Sequence, residues 1–236
     1  MYQRDYIIMK LIEQTARVVM KVLHKQALSF HERMELLNHA LRQLVGLDSK
    51  LLQALSVKDL LVLLSPGGHP DIGKALAASD LLLARVKVLQ QEGQIQVGKA
   101  EALKWLELLL TIRKMEESAD LREETERRIE TSLELIGRSG MEASQLELLV
   151  PYYDETGRLA KAEDALFHWI DEVKGDAWNE GLSRVLDIGM EMYERWLTDS
   201  TLQLEDGGLS REEVRQGMAE LAKFKSGARR EEADDG

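Results

Sequence analysis

Hydrophobic positions recur at helical spacing along most of this chain. Leu146, Leu149, Val150 and Tyr153 fall at i, i+3, i+4 and i+7, which predicts one helix with a single apolar stripe. Gly157 closes that helix, because glycine readily takes the left-handed conformation a helix C-terminus favours. A second stripe follows at Leu159, Ala162, Leu166 and Trp169, with Ala165 beside it. Small Ala162 permits close approach of the two helices, and Trp169 offers a large area to bury. Pro151 interrupts the first stripe, so it marks either a kink or the first turn of the helix.

The same spacing partitions the rest of the chain. Residues 4–26 predict a helix with Ile8, Leu11, Ile12, Val19 and Leu23 on one side and Arg4, Lys10, Arg17, Lys21 and Lys25 on the other. Such a helix either packs in the core or lies on a partner or an acidic membrane surface. Ser29 and Glu32 form a capping-box pattern that opens a helix through Leu36, Leu37, Leu41 and Leu44, ended by Gly46. After a short segment over 47–55, Ser56 and Asp59 cap a helix carrying Leu60, Leu61, Leu63 and Leu64. The run Ser65-Pro66-Gly67-Gly68-His69-Pro70 breaks helix and predicts a domain boundary.

Helices are then expected over 71–92 with Leu82, Val86 and Leu89 inward, and after Gly93 with Ala100, Ala102, Leu103, Trp105, Leu106 and Leu109. Another is capped at Asp120, with Ile129, Leu133 and Ile136 inward and a stop at Gly137 or Gly140. Trp178 to Leu197 predicts a further helix, somewhat weakened by Gly181 and Gly189, and Ser210 caps the last. The charged, small-residue segment 225–236 reads as disordered. The expected domains are therefore 1–65, 70–224 and a tail, and no stretch alternates as a strand would.

Composition narrows the function classes. The net charge of −11 repels phosphate backbones and argues against nucleic-acid binding. With no cysteine, disulfides, thiol nucleophiles and zinc-thiolate sites are excluded. No apolar run reaches membrane-spanning length, and Arg4, Asp5, Lys10 and Glu13 interrupt any signal-peptide core, so a cytoplasmic protein is expected.

Residues 143–171 resemble the tetratricopeptide repeat, a helix–turn–helix unit of about 34 residues. Leu149, Tyr153, Gly157, Ala162 and Leu166 occupy its leucine, tyrosine, turn, small-residue and aromatic positions. Leu146, Val150, Trp169 and Lys174 depart from the pattern. An ordinary antiparallel helix pair has the same outline. Lys99 to Trp105 echoes Lys161 to Leu166, each after a glycine-terminated helix, although the offset falls short of two full repeats. Residues 5–14, with Gly46-Leu47-Asp48-Ser49 and Leu60-Leu61, resemble an uncharacterised bacterial family found in Bacillus-type organisms. That resemblance implies an N-terminal module followed by repeats, and no activity. The expected fold is all-α, an N-terminal helical unit followed by an irregular tetratricopeptide-like array of antiparallel helix pairs.

Candidate chemistry is sparse. The five histidines form neither an HExxH motif nor a helical metal pair. His31 reads as a helix-start residue, His69 as exposed in the proline-glycine loop, and His168 as a surface or hydrogen-bonded core residue. Gly67-Gly68 lacks the lysine and hydroxyl residue of a phosphate loop, no Gly-x-Ser-x-Gly elbow exists, and no paired Glu-x-x-His suggests a di-iron bundle. No catalytic residue, cofactor or metal is expected. In tetratricopeptide proteins the first helix of each repeat lines the concave partner-binding face. Carried onto the matched residues, this puts Ser144, Glu147, Pro151 and Asp154 toward a groove, where the two carboxylates suit a basic peptide or protein segment. The expected function is a non-catalytic interaction module, with self-association into a homo-oligomer as the alternative and an unrecognised enzyme third.

Overall fold

The computed structural model describes residues 2–24, 27–65, 68–137, 140–174 and 180–234, and all regular structure among them is helical. The chain divides into two compact units, 1–140 and 141–236.

The first unit is built around α5 (Ile72–Gln91), which Asp71 caps by accepting the Lys74 N–H at 3.1 Å. Its apolar residues do not keep to one stripe: fourteen of its twenty residues are buried, as befits a helix enclosed by others. Helices α1 (Tyr2–His24), α2 (Phe30–Ala40), α6 (Ile95–Met115) and α7 (Ala119–Ile136) pack against it. The Ser29–Glu32 capping box closes in both directions, and α2 passes through a π turn at Leu41–Val45 before Gly46 ends it at φ +79°. The segment over 47–55 forms a short helix, α3 (Ser49–Ala54), capped by Asp48, and Ser56 caps α4 (Val57–Leu63) as expected.

Two boundaries differ from expectation. The Ser65–Pro70 break lies inside the first unit, because α5 turns back to pack along α1; Pro66 and Gly67 are outside the described residues. Helix α7 begins two residues earlier than a cap at Asp120 would place it. Ser118 precedes the helix, its N–H donating to Glu116 Oε1 at 2.8 Å, and Asp120 falls in the first turn. Gly137 is the stop, at φ +72°; Arg138 and Ser139 lie outside the described residues.

The second unit pairs α8 (Ala143–Glu155) with α9 (Leu159–Val173), and α10 (Glu180–Thr198) with α11 (Arg211–Asp234), while α10 also packs on α9. Both predicted stripes are buried, Leu146, Leu149, Val150 and Tyr153 on α8 and Leu159, Ala162, Leu166 and Trp169 on α9. Pro151 sits inside α8, well past its start at Ala143, so the first-turn alternative is set aside. The expected start of α10 at Trp178 lies outside the described residues. Helix α11 continues through the segment expected to be a tail, which is rich in the helix formers Ala, Arg and Glu, and only 235–236 lie outside the description.

The sequence echo between the units has a structural cause. After α5, the Gly93 N–H donates to Gln90 O and the Gln94 N–H to Leu89 O; after α8, the Gly157 N–H donates to Asp154 O and the Arg158 N–H to Tyr153 O. These are two copies of the Schellman motif, each with a glycine at positive φ. Gly189, which reads as a weak point of α10, is a point of close approach: a Cβ there would lie 2.6 Å from Leu221 Cδ1 and 2.8 Å from Leu166 Cδ2.

Candidate functional site

The four residues singled out on α8 come together on one side of that helix, but they do not stand alone. Glu147 and Asp154, seven residues apart, share a face, as do Arg184 and Arg195 on α10. Arg184 pairs with Glu147, and Arg195 pairs with Asp154. Asp154 also accepts the indole N–H of buried Trp196 at 2.8 Å. Exposed Ser144 accepts a hydrogen bond from the Gln145 side chain at 2.8 Å. Half-buried Pro151 has no N–H to offer the Glu147 carbonyl one turn back. The two carboxylates are thus already matched by arginines of the same unit. A basic partner segment has to displace them.

A second surface lies in the first unit, where α3, α5 and α6 enclose a groove of about 620 Å³. Its floor is buried Leu52, Leu82 and Trp105, while Val97 and Ala100 of α6 stand exposed at its edge. The polar groups of the rim bind one another. Arg85 Nε donates to both Glu101 oxygens, at 3.2 and 2.9 Å, and Gln53 Nε2 donates to Glu101 Oε1 at 2.6 Å. Lys104 Nζ donates to the Leu52 and Gln53 carbonyls at 2.7 and 2.9 Å, satisfying acceptors that the end of α3 leaves open. Burial pushes the Lys104 ammonium below the usual lysine range, against the pull of Glu101 and Glu107. With Arg85, Glu101, Gln53 and Lys104 bonded within the rim, this groove offers apolar surface at Leu52, Leu82 and Trp105.

Two further ionisable groups are held away from their ordinary behaviour. Arg128 on α7 donates to Asp80 Oδ2 at 2.7 Å and to Glu124 Oε2 at 2.9 Å, and burial raises the Asp80 carboxyl despite the guanidinium beside it. In the second unit the Tyr193 hydroxyl donates to Glu163 Oε1 at 2.5 Å. Burial raises Glu163, and nearby Asp164, Glu213 and Glu220 add to the effect. Tyr193 is likewise raised, first by burial and then by the Glu163 carboxylate. Gly217 seats on this pair, since a Cβ there would lie 2.2 Å from the phenol oxygen. The pair is therefore packed against backbone.

The histidines do not gather. His31 and His69 are exposed, and His168 Nε2 sits 3.7 Å from Glu172 on its own helix. Among the described residues no group of three or more His, Asp or Glu is placed to hold a metal ion, and no helix is long and apolar enough to cross a membrane. Sequence reasoning missed both the α3–α5–α6 groove and the Arg128 cluster. The available signal for the latter was Leu121, Thr125, Arg128 and Ser132, an inward stripe that includes an arginine.

Compared with known proteins, residues 1–226 match the model of a family of unknown function, DUF6483. No curated protein and no solved structure matches the chain. The family match agrees with kinship to an uncharacterised family and does not extend to the tetratricopeptide-like resemblance. What α8 and α9 share with that repeat is helix–turn–helix spacing.

Proposed function

The chain belongs to the DUF6483 family of unknown function, and we propose that it is a protein-interaction module without catalytic chemistry, receiving apolar side chains of a partner segment in the α3–α5–α6 groove. The observation that carries this reading is the combination of an apolar floor with a rim whose polar groups bind one another. Such a surface gains little from a charged ligand and much from covering Leu52, Leu82 and Trp105. The acidic face of α8 ranks behind it, because Arg184 and Arg195 already hold its carboxylates. A photo-crosslinking residue placed at Val97, and separately at Glu147, tests the assignment in native lysate. Adducts to another protein from Val97 support the groove; adducts from Glu147 alone would return the site to α8.

Self-association is the second reading, favoured by the exposure of Tyr6, Ile7 and Met9 on α1, at 66%, 59% and 47%. It predicts a mass in sedimentation that rises with concentration and falls back to the monomer in an Ile7→Glu variant.

A further inference from the structure

A different groove, between α1, α5 and α7, carries chemistry that a peptide-docking reading does not use. We propose that it binds a single-chain amphiphile with a carboxylate head, a molecule of the fatty-acid class. One wall is apolar: Ile12, Ala16, Val19 and Leu23 of α1 stand at i, i+4, i+7 and i+11, all exposed or half-buried. The facing wall is charged, with Asp80 and Lys87 from α5 and Glu124, Arg127 and Arg128 from α7. A surface apolar along one side and ionic along the other matches a ligand divided in the same way.

The head group's place is marked by one atom. Arg128 is only 7% exposed. Its Nη1 donates to the Glu124 carbonyl at 2.7 Å and to Glu124 Oε2 at 2.9 Å, and its Nη2 donates to Asp80 Oδ2 at 2.7 Å. Its Nε–H, buried beside them, has no acceptor. A buried donor left without a partner is unfavourable, so an oxygen brought by a ligand is favoured there. An arginine Nε–H is also well suited to a carboxylate oxygen. The charges of the lining agree, for Lys87, Arg127 and Arg128 outnumber Asp80 and Glu124 in a chain whose net charge is −11.

Dimensions select the tail. From Ile12 to Leu23 the apolar stripe runs about 16 Å along α1. The groove volume of about 400 Å³ corresponds to roughly a dozen groups the size of a water or methylene, at ~30 Å³ each. A chain of about twelve carbons fits, whereas a partner helix ~10 Å across would have to push α1 away.

The test is calorimetric titration of the full-length protein with dodecanoate below its micelle concentration, alongside dodecanol and dodecyltrimethylammonium. Dodecanoate is expected to bind saturably at one site, at least tenfold more tightly than either of the others. Ala16→Trp, at an exposed position, fills the apolar wall and should weaken dodecanoate at least tenfold. Arg128→Lys keeps a charge beside Asp80 and Glu124 but removes the unpartnered Nε–H, and should weaken dodecanoate while leaving dodecanol unchanged. If circular dichroism shows that variant unfolded, Lys87→Ala takes its place with the same expected direction. Absence of saturable dodecanoate binding, equal binding by Ala16→Trp, or equal affinity for dodecanol would each overturn the assignment.

Discussion

Arg128 in the first unit and Arg195 in the second each hold a carboxylate, yet the two pairs do different things. The Arg128 and Asp80 side chains are 8% and 22% exposed, and those of Arg195 and Asp154 are 54% and 15%. Arg128 is largely cut off from water, and the carboxylates it holds fix where α7 sits against α5. Arg195 reaches in from solvent, where the attraction is screened by salt and opposed by side-chain entropy. The same ion-pair chemistry is structural in one unit and nearly optional in the other. Burial makes the difference.

That contrast can be broken most directly at Arg128. Arg128→Met strands Asp80 and Glu124 in a poorly solvated place, and should destabilise the first unit by about 3–5 kcal/mol in urea unfolding. Asp154→Ala is expected to cost about 1–3 kcal/mol, mostly because the Trp196 indole N–H loses its acceptor rather than because Arg195 loses a partner. A matched Arg195→Ala variant checks this division, since it should cost no more than about 1 kcal/mol and its effect should fade in high salt.

Glu163 is the second unit's closest counterpart to Asp80, and pH sharpens the comparison there. Its folded pKa lies above the ordinary 4.5, so the folded state binds the extra proton and stability is lost as pH rises from 4.5 through that raised value. Glu163→Gln keeps an acceptor for the Tyr193 hydroxyl without the charge. It should be at least as stable as the parent at neutral pH, by up to about 1 kcal/mol, and the difference should vanish near pH 4.5 in thermal melts. The smallest effect is expected of Glu147→Ala, whose partner Arg184 is 63% exposed: within about 0.5 kcal/mol of the parent, and less in salt.

Much of the fold was legible because its signals are local. The Ser29–Glu32 box, the stripe from Leu146 to Tyr153 and the glycines that end α5 and α8 each act within a few residues, and each appears where the sequence places it. Signals that depend on packing were not legible. The prolines and glycines after Ser65 announce a turn, but whether the chain then leaves or returns is decided by α5 burying itself against α1. Gly189 looks like a flaw in α10 until Leu166 and Leu221 are seen against it. Of the candidate site, the placement of Glu147 and Asp154 on one face followed from their spacing, whereas Arg184 and Arg195 arrive from another helix more than thirty residues on. Arg128 was hidden by its company, because the glutamates around it make α7 read as a solvated surface.

The enclosure of α5 has a consequence for synthesis. Helix α7 finishes at Ile136, about 45 residues after α5 ends at Gln91. At ~5–20 residues per second, the ribosome leaves a helix that ends up buried at fourteen of its twenty residues without its last cover for roughly 2–9 s. During those seconds its cover comes from the early-made α1 and α2, from the π turn that follows α2, and then from α6 as it emerges.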